Sequence, residues 1–139
     1  MNAACYQVLA NPNVHTRLRA ELATLSRTAD GIPNLSETEA LPYLAAIIQE
    51  TIRLHPGVMS RQIRVSPEVP ILYSDKVARK DYAVPPGTVY SMSPLLTHMH
   101  AECFNDPYAF RPERWIENPK LSRYFIGFGR GSRNCLGWV

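Results

Sequence analysis

The hydrophobic positions change their period once along this chain, near Gln62. Before that point they recur at helical spacing. Met1 to Ala10 reads as the tail of a helix, because it starts mid-pattern without a capping residue. Asn11-Pro12 restarts the chain, with Asn at the N-cap and Pro at the first helical position. Val14, Leu18, Leu22 and Leu25 then form one buried stripe. Arg17, Arg19, Glu21 and Arg27 form its solvated side, and Asp30-Gly31-Ile32-Pro33 breaks the helix. A third helix spans Pro42 to Leu54, with Leu44, Ile47, Ile48, Thr51 and Ile52 as its apolar surface; His55-Pro56 ends it. After Gln62 the pattern becomes short β-type runs: Ile63 to Val65, Val69 to Tyr73, Tyr82 to Val84 and Thr88 to Met92. Pro85-Pro86-Gly87 supplies a turn. Beyond Ser93 lies a long irregular stretch containing Phe104, Pro107, Phe110, Pro112 and Trp115. The expected fold class is α+β, in a single domain over residues 1–139, with helices first, then short strands and an irregular meander.

Composition narrows the function classes. With 45% hydrophobic and 19% charged residues the chain reads as globular. A net charge of +3 is too mild to argue for nucleic acid. No apolar run approaches the roughly 20 residues of a membrane span, and no basic segment precedes the apolar start as in a signal peptide. Cys5, Cys103 and Cys135 are odd in number, far apart and without a C-x-x-C pair. Neither a zinc site nor a disulfide framework is indicated, and a reduced, intracellular setting fits best.

Two constellations carry chemistry. Glu50 and Arg53 stand three residues apart on one face of the third helix. Their neighbours are apolar, so this charged pair must find partners. The second is the run Phe128-Gly129-Arg130-Gly131-Ser132-Arg133-Asn134-Cys135-Leu136-Gly137. Gly131 and Gly137 permit turns a side chain would block. Arg133 brings a fixed charge suited to a carboxylate. A phosphate-cradling loop would need a following helix and an Arg/Gly nucleic-acid segment would repeat, while a structural cysteine, a small buried hydrophobe, stays open as the plain alternative.

The pattern F-x-x-G-x-R-x-C-x-G resembles the haem-binding loop of the cytochrome P450 family. Further runs share the resemblance: Glu50-Thr51-Ile52-Arg53 as E-x-x-R, Phe110 to Trp115 as the P-E-R segment, and Tyr82 to Thr88 as the I-P-x-G-T hairpin. His98, Phe104 and Pro107 resemble the run before P-E-R, and Arg64 to Pro67 resembles fungal members, often enzymes of secondary metabolism. The resemblance implies a partial P450 fold and a fragment of a haem-thiolate monooxygenase. The intact enzyme would insert one oxygen atom of O2 into a small organic substrate. It would draw electrons from an NADPH-dependent reductase at the endoplasmic reticulum membrane. Carried onto this chain, Cys135 is the axial ligand of the haem iron. Arg133 and Arg64 pair with the haem propionates, with Arg61 a weaker candidate. Phe128 covers the proximal side, and Glu50, Arg53 and Arg114 form a structural triad.

The departures are as informative. In the family a central helix carries an acid-alcohol pair that handles dioxygen; here it would fall before Met1. The helix that starts at the cysteine would continue past Val139. His100 stands where Asp is usual, and a basic insertion at Lys76 to Lys80 lengthens an exposed hairpin. The expectation is that these 139 residues alone do not catalyse monooxygenation, the alternative being a non-catalytic remnant with weak or no haem binding. Lys120, Arg123 and Arg130 are expected on one exposed face, where an acidic electron donor could be steered.

Overall fold

The computed structural model describes residues 2–27 and 30–137. They divide into two compact units: Met1–Val58 with Pro94–Val139, and Met59–Ser93. The first holds helices α1 (Asn2–Ala10), α2 (Pro12–Leu22), α3 (Leu35–Glu39), α4 (Pro42–Leu54), α5 (Pro94–His98) and α6 (Glu113–Glu117). Two 3₁₀ turns, Pro119–Tyr124 and Gly131–Arg133, complete it. The second holds β1 (Gln62–Val65), β2 (Ile71–Asp75), β3 (Lys80–Val84) and β4 (Val89–Met92). The α+β class expected from the change of period is the one observed.

The helix α4 is the axis of the larger unit. Tyr43 and Ile47 pack with Val14 of α2, and Val8, Leu18 and Phe110 close around them. Ala46, a quarter-turn away, packs on Phe104 and Trp115, flanked by Leu121, Tyr124 and Phe125. Ile48, expected in the stripe, is instead 48% exposed, whereas Glu50 and Arg53 are fully buried. The charged pair, not a run of aliphatics, marks the inward face.

The first turn of α4 leaves backbone N–H groups without helical partners, and its N-cap, Leu41, has no side chain to accept them. Glu21 does so from α2: its Oε1 accepts the Tyr43 N–H at 2.8 Å and its Oε2 the Leu44 N–H at 2.9 Å. Glu21 is therefore not part of a merely solvated face. Arg17 is no bystander either, since its guanidinium lies 4.2 Å from the Tyr43 ring centroid. The Tyr43 hydroxyl in turn donates to Glu113 Oε1 of α6 at 2.7 Å. Burial and this carboxylate hold the Tyr43 hydroxyl well above the ordinary phenol range.

Three helical details differ from expectation. Asn11 is the N-cap of α2 by backbone geometry, but its side chain donates back to the Gln7 carbonyl at 2.7 Å. Pro12 at the first position needs no partner, so the cap bond can be dispensed with. The helix α2 stops at Leu22, eight residues before Asp30. There the Thr24 hydroxyl takes the Glu21 carbonyl at 2.7 Å, a local bond that competes with helix propagation. The helices α3, α5 and α6 have five residues each, too few to show a period against the surrounding polar residues.

In the strand unit β1 pairs antiparallel with β4 and β2 with β3. All four strands lie where the alternating runs were read. The second starts at Ile71 and not Val69, because Pro70 has no N–H to give to a ladder. Gly87, at φ 77°, closes the turn predicted at Pro85 to Gly87, with the Thr88 N–H on the Pro85 carbonyl at 3.2 Å. The basic insertion forms the exposed tip of the β2–β3 hairpin. Asp75 Oδ1 ties it by accepting the Val77 and Ala78 N–H groups, each at 2.9 Å.

Candidate functional site

Two features stand out in the larger unit: a buried ion cluster on α4 and the exposed loop that carries Cys135. The cluster centres on the Glu50 carboxylate. Its Oε1 accepts from Arg53 Nη2 at 2.8 Å, Arg114 Nε at 3.1 Å and the Arg111 N–H at 3.0 Å. Its Oε2 accepts from Arg53 Nε and Trp115 Nε1, both at 2.9 Å. The three residues picked out from E-x-x-R and P-E-R thus meet at one carboxylate. The Arg111 amide and the Trp115 indole join them. Neither was singled out from the sequence, though both lie in the P-E-R run.

One carboxylate between two guanidinium groups leaves an excess positive charge in a dry interior, which is costly unless polar atoms compensate. The compensation comes from backbone. Arg53 Nη1 donates to the His98 and Pro107 carbonyls at 2.8 and 2.6 Å. Arg53 Nη2 reaches the Ala109 carbonyl at 3.2 Å. Arg114 donates to the Asn105, Asp106 and Ala109 carbonyls at 2.6, 3.2 and 3.3 Å. Asp106 adopts φ 48°, a left-handed conformation that Asp tolerates better than most residues. The segment 98–109 makes turn-type backbone bonds, such as the Cys103 and Phe104 N–H groups on the His100 carbonyl. It is shaped by folding its carbonyls around two guanidinium forks, whose planar donors suit the task.

The polypeptide next runs through aromatic packing towards the cysteine. Phe104, Tyr124, Phe125 and Trp115 contact one another with ring centroids 5.6–6.3 Å apart. Gly127 follows. A Cβ built there would lie 2.4 Å from Ile52 Cγ2 of α4. That methyl sits on a stiff, β-branched side chain and cannot step aside cheaply. Gly127→Ala is therefore expected to destabilise the chain by about 1–3 kcal/mol, with part of the loss recovered in the double variant carrying Ile52→Ala. Urea midpoints check this; an alanine as stable as the glycine would show that the approach is looser than described. From the sequence Gly127 figured only in the spacing Gly127-x-Gly129-x-Gly131 of a glycine loop, and its close approach to α4 was not foreseen.

In the loop, Gly129 and Gly131 take φ of 74° and 75°, the left-handed region a side chain strains. At Gly137, in contrast, neither φ nor space requires glycine: a Cβ there would lie 3.8 Å from Cys135 Sγ, an ordinary contact, so the turn expected to need Gly137 does not show that need. The Cys135 N–H donates to the Phe128 carbonyl at 2.7 Å, which closes the loop across its base. Cys135 is exposed. Arg133 is also exposed, and among the described residues its guanidinium makes no hydrogen bond. Arg130 is tied down, its Nη2 bonded to the Ser122 carbonyl. Phe128 is half-buried and, with Phe125, Gln49, Ser122 and Asn134, lines a cleft of about 490 Å³. Arg64 belongs to the strand unit, exposed on β1 opposite Tyr90, with its Nη1 on the Ile63 carbonyl at 2.8 Å.

Among the described residues, no group of three or more His, Cys, Asp or Glu side chains could hold a metal ion. What the loop offers is a single thiol beside an uncommitted guanidinium. That donor set suits a metal whose other positions are filled by a carboxylate-bearing macrocycle, and so fits haem.

A sequence model of the Cytochrome P450 family matches residues 1–138. This chain belongs to the cytochrome P450 family. Among its relatives are the cytochrome P450 monooxygenases tpcC of Cochliobolus heterostrophus, 37% identical, and astB of Talaromyces wortmannii, 40% identical. The fusicoccadiene C-8 hydroxylase of Phomopsis amygdali is 39% identical. Each match covers 99% of this chain and 26–28% of the relative. The P450 chain thus spans about a quarter of the length of the curated relatives it matches. Haem is the cofactor of this family in general. Among the described residues no P450 helix is long and apolar enough to cross a membrane.

Proposed function

We propose that this chain is the haem-ligating portion of a fungal haem-thiolate monooxygenase. The whole enzyme inserts one oxygen atom of O2 into a small organic substrate. The observation that carries this reading is the pairing, on one loop, of an exposed Cys135 with an uncommitted Arg133, above a base held by the Glu50 cluster. Cys135, as the thiolate, would be the axial ligand. Arg133 would pair with a propionate. Phe128 would wall the proximal side, Gly131 would make the turn into the ligand, and Gly137 would sit beside the ligand's sulfur. When bound, haem supplies the redox-active iron at which dioxygen is activated. The protein's part is to keep the thiolate in place and exclude water from its back.

The test is the absorption spectrum of the reduced, CO-exposed chain after haem addition. A red-shifted Soret band typical of thiolate ligation is expected, and it should vanish in Cys135→Ala. A spectrum unchanged by Cys135→Ala would sink the assignment and favour a non-catalytic remnant.

The same reading gives the whole enzyme an NADPH-dependent reductase as electron donor and the endoplasmic reticulum membrane as its place. Lys120, Arg123 and Arg130 are exposed, and the Arg130–Ser122 bond brings the loop beside the 3₁₀ turn that carries the other two. Reversing all three charges in the full-length enzyme is expected to weaken reductase binding by tenfold or more at low salt, about 1.4 kcal/mol, and to flatten its salt dependence. Unchanged binding and salt dependence would remove these residues from the docking face.

A further inference from the structure

His98 is fully buried, yet neither its motif nor its apolar surroundings explain what its ring does. The ring stacks on Phe125, centroids 5.7 Å apart and planes 11° apart, and meets Phe104 edge-on at 6.2 Å. Its Nε2 lies 3.1 Å from the backbone nitrogen of Ile126. A backbone N–H can only donate, so Nε2 must present its lone pair, and the neutral ring carries its proton on Nδ1. That Nδ1 is buried and makes no hydrogen bond of normal geometry, although the Arg53 backbone lies close enough to favour a proton on the ring.

What the Nε2 bond joins is informative. The His98 carbonyl accepts from Arg53 Nη1 at 2.8 Å, so the backbone of this residue is held by the Glu50 cluster. Its side chain holds Ile126. The Ile126 carbonyl accepts the Gly129 N–H at 3.0 Å, and the Phe128 carbonyl accepts the Cys135 N–H at 2.7 Å. An unbroken series of bonds thus runs from the buried carboxylate to the cysteine loop, and the His98 ring is a side-chain link in it between segments 98–109 and 126–135.

We propose that His98 is a positioning residue: as the Nδ1–H tautomer it fixes the Ile126 amide, and thereby sets the Cys135 loop against the Glu50–Arg53–Arg114 cluster. The positioning is a property of the chain itself; only its bearing on iron ligation rests on the function proposed above.

The experiment uses the 139-residue chain without haem. Nitrogen chemical shifts of the His98 ring report which nitrogen is protonated, and amide hydrogen exchange reports the hold on Ile126. Three forms are compared: the native chain, His98→Phe, which keeps the ring stack but has no acceptor, and His98→Gln, whose carbonyl oxygen replaces Nε2. The native ring should be protonated on Nδ1. In His98→Phe the Ile126 and Gly129 amides should exchange about tenfold faster or more, while the Trp115 amide of α6 and the Asn118 amide at its C-cap keep their native rates. His98→Gln should return Ile126 most of the way to the native rate. A native ring protonated on Nε2 overturns the proposal, even if His98→Phe fails to fold. So does loss of protection spread equally over α6 and the loop, or a Gln variant that behaves like Phe. These readouts hold whether or not the Cys135-dependent Soret band forms, so the two readings fail separately.

Discussion

Replacing Arg53 by alanine is expected to cost about 3–5 kcal/mol, the range for breaking a buried ion pair by deleting one partner. In a domain whose total stability is of order 5–15 kcal/mol, that removes a large share of the folded population. The reason is not one lost contact. Arg53 and Glu50 are fully buried, and Arg53 donates to both Glu50 oxygens and to the carbonyls of His98, Pro107 and Ala109. Removing it leaves these acceptors facing a cavity and leaves Arg114 to balance Glu50 alone. Arg53→Lys should recover little, because an ammonium is a point donor and cannot reproduce the planar fork. Glu50→Ala should be comparable, since it strands two guanidinium groups together. Chemical denaturation followed by helical circular dichroism measures both. An Arg53→Ala chain within about 1 kcal/mol of the native one would show that the cluster contributes specificity without stability.

The second large effect is a fall in stability on mild acidification, traced to His98. Burial pushes its pKa down to about 4 from an ordinary 6.5; the Arg53 backbone favours the charged ring and the Arg53 guanidinium opposes it, with Glu50 a smaller favourable influence. Arg53 and Glu50 are the charged groups that act on the ring among the described residues, and Phe104 and Phe125 pack against it. Between pH 6.5 and about 4 the unfolded chain binds a proton at this residue that the folded chain does not. Stability contributed by the neutral ring is therefore complete above about pH 6.5 and declines as the pH falls, by about 2–3 kcal/mol at pH 4. Once the ring is charged, Nε2 carries a proton that faces the Ile126 N–H, and the link to the loop is lost. His98→Gln should remove this component of the pH slope while leaving the slope contributed by carboxylates. Denaturation midpoints at pH 7, 5.5 and 4.5 decide it; parallel slopes for the native and Gln chains would refute the assignment.

Much of this architecture was legible in the residues because each element announced itself locally. The helix α4 has Pro42 at its start and His55-Pro56 at its end, and the four strands alternate between turn residues. The Cys135 loop and the Glu50, Arg53 and Arg114 triad were visible as spaced motifs. What escaped notice was non-local. Glu21 caps a helix 22 residues away, and its charge on an α2 face looked like ordinary solvation. Gly127 is glycine because of Ile52, 75 positions earlier, and no turn signal marks it. The acceptor role of the His98 ring depends on a backbone N–H 28 residues downstream. Periodicity reports which face of an element is apolar; it carries no information about which distant atom completes a bond.

The cluster on α4 has a consequence for how the chain tolerates change in length. Glu50 and Arg53 form their bonds within one helical turn, but their other partners lie 45 to 65 residues further on. Between them sits the strand unit Met59–Ser93, whose ladders close on themselves. Closing such a span costs conformational entropy that grows only with the logarithm of its length. Six further residues at the tip near Lys76 would lengthen only the loop between Asp75 and Lys80, from four residues to ten, and raise its own closure cost by about 0.8 kcal/mol. The tip thus absorbs added length without disturbing the cluster, while a single-residue shift between His98 and Trp115 would misalign carbonyls that the two arginines hold.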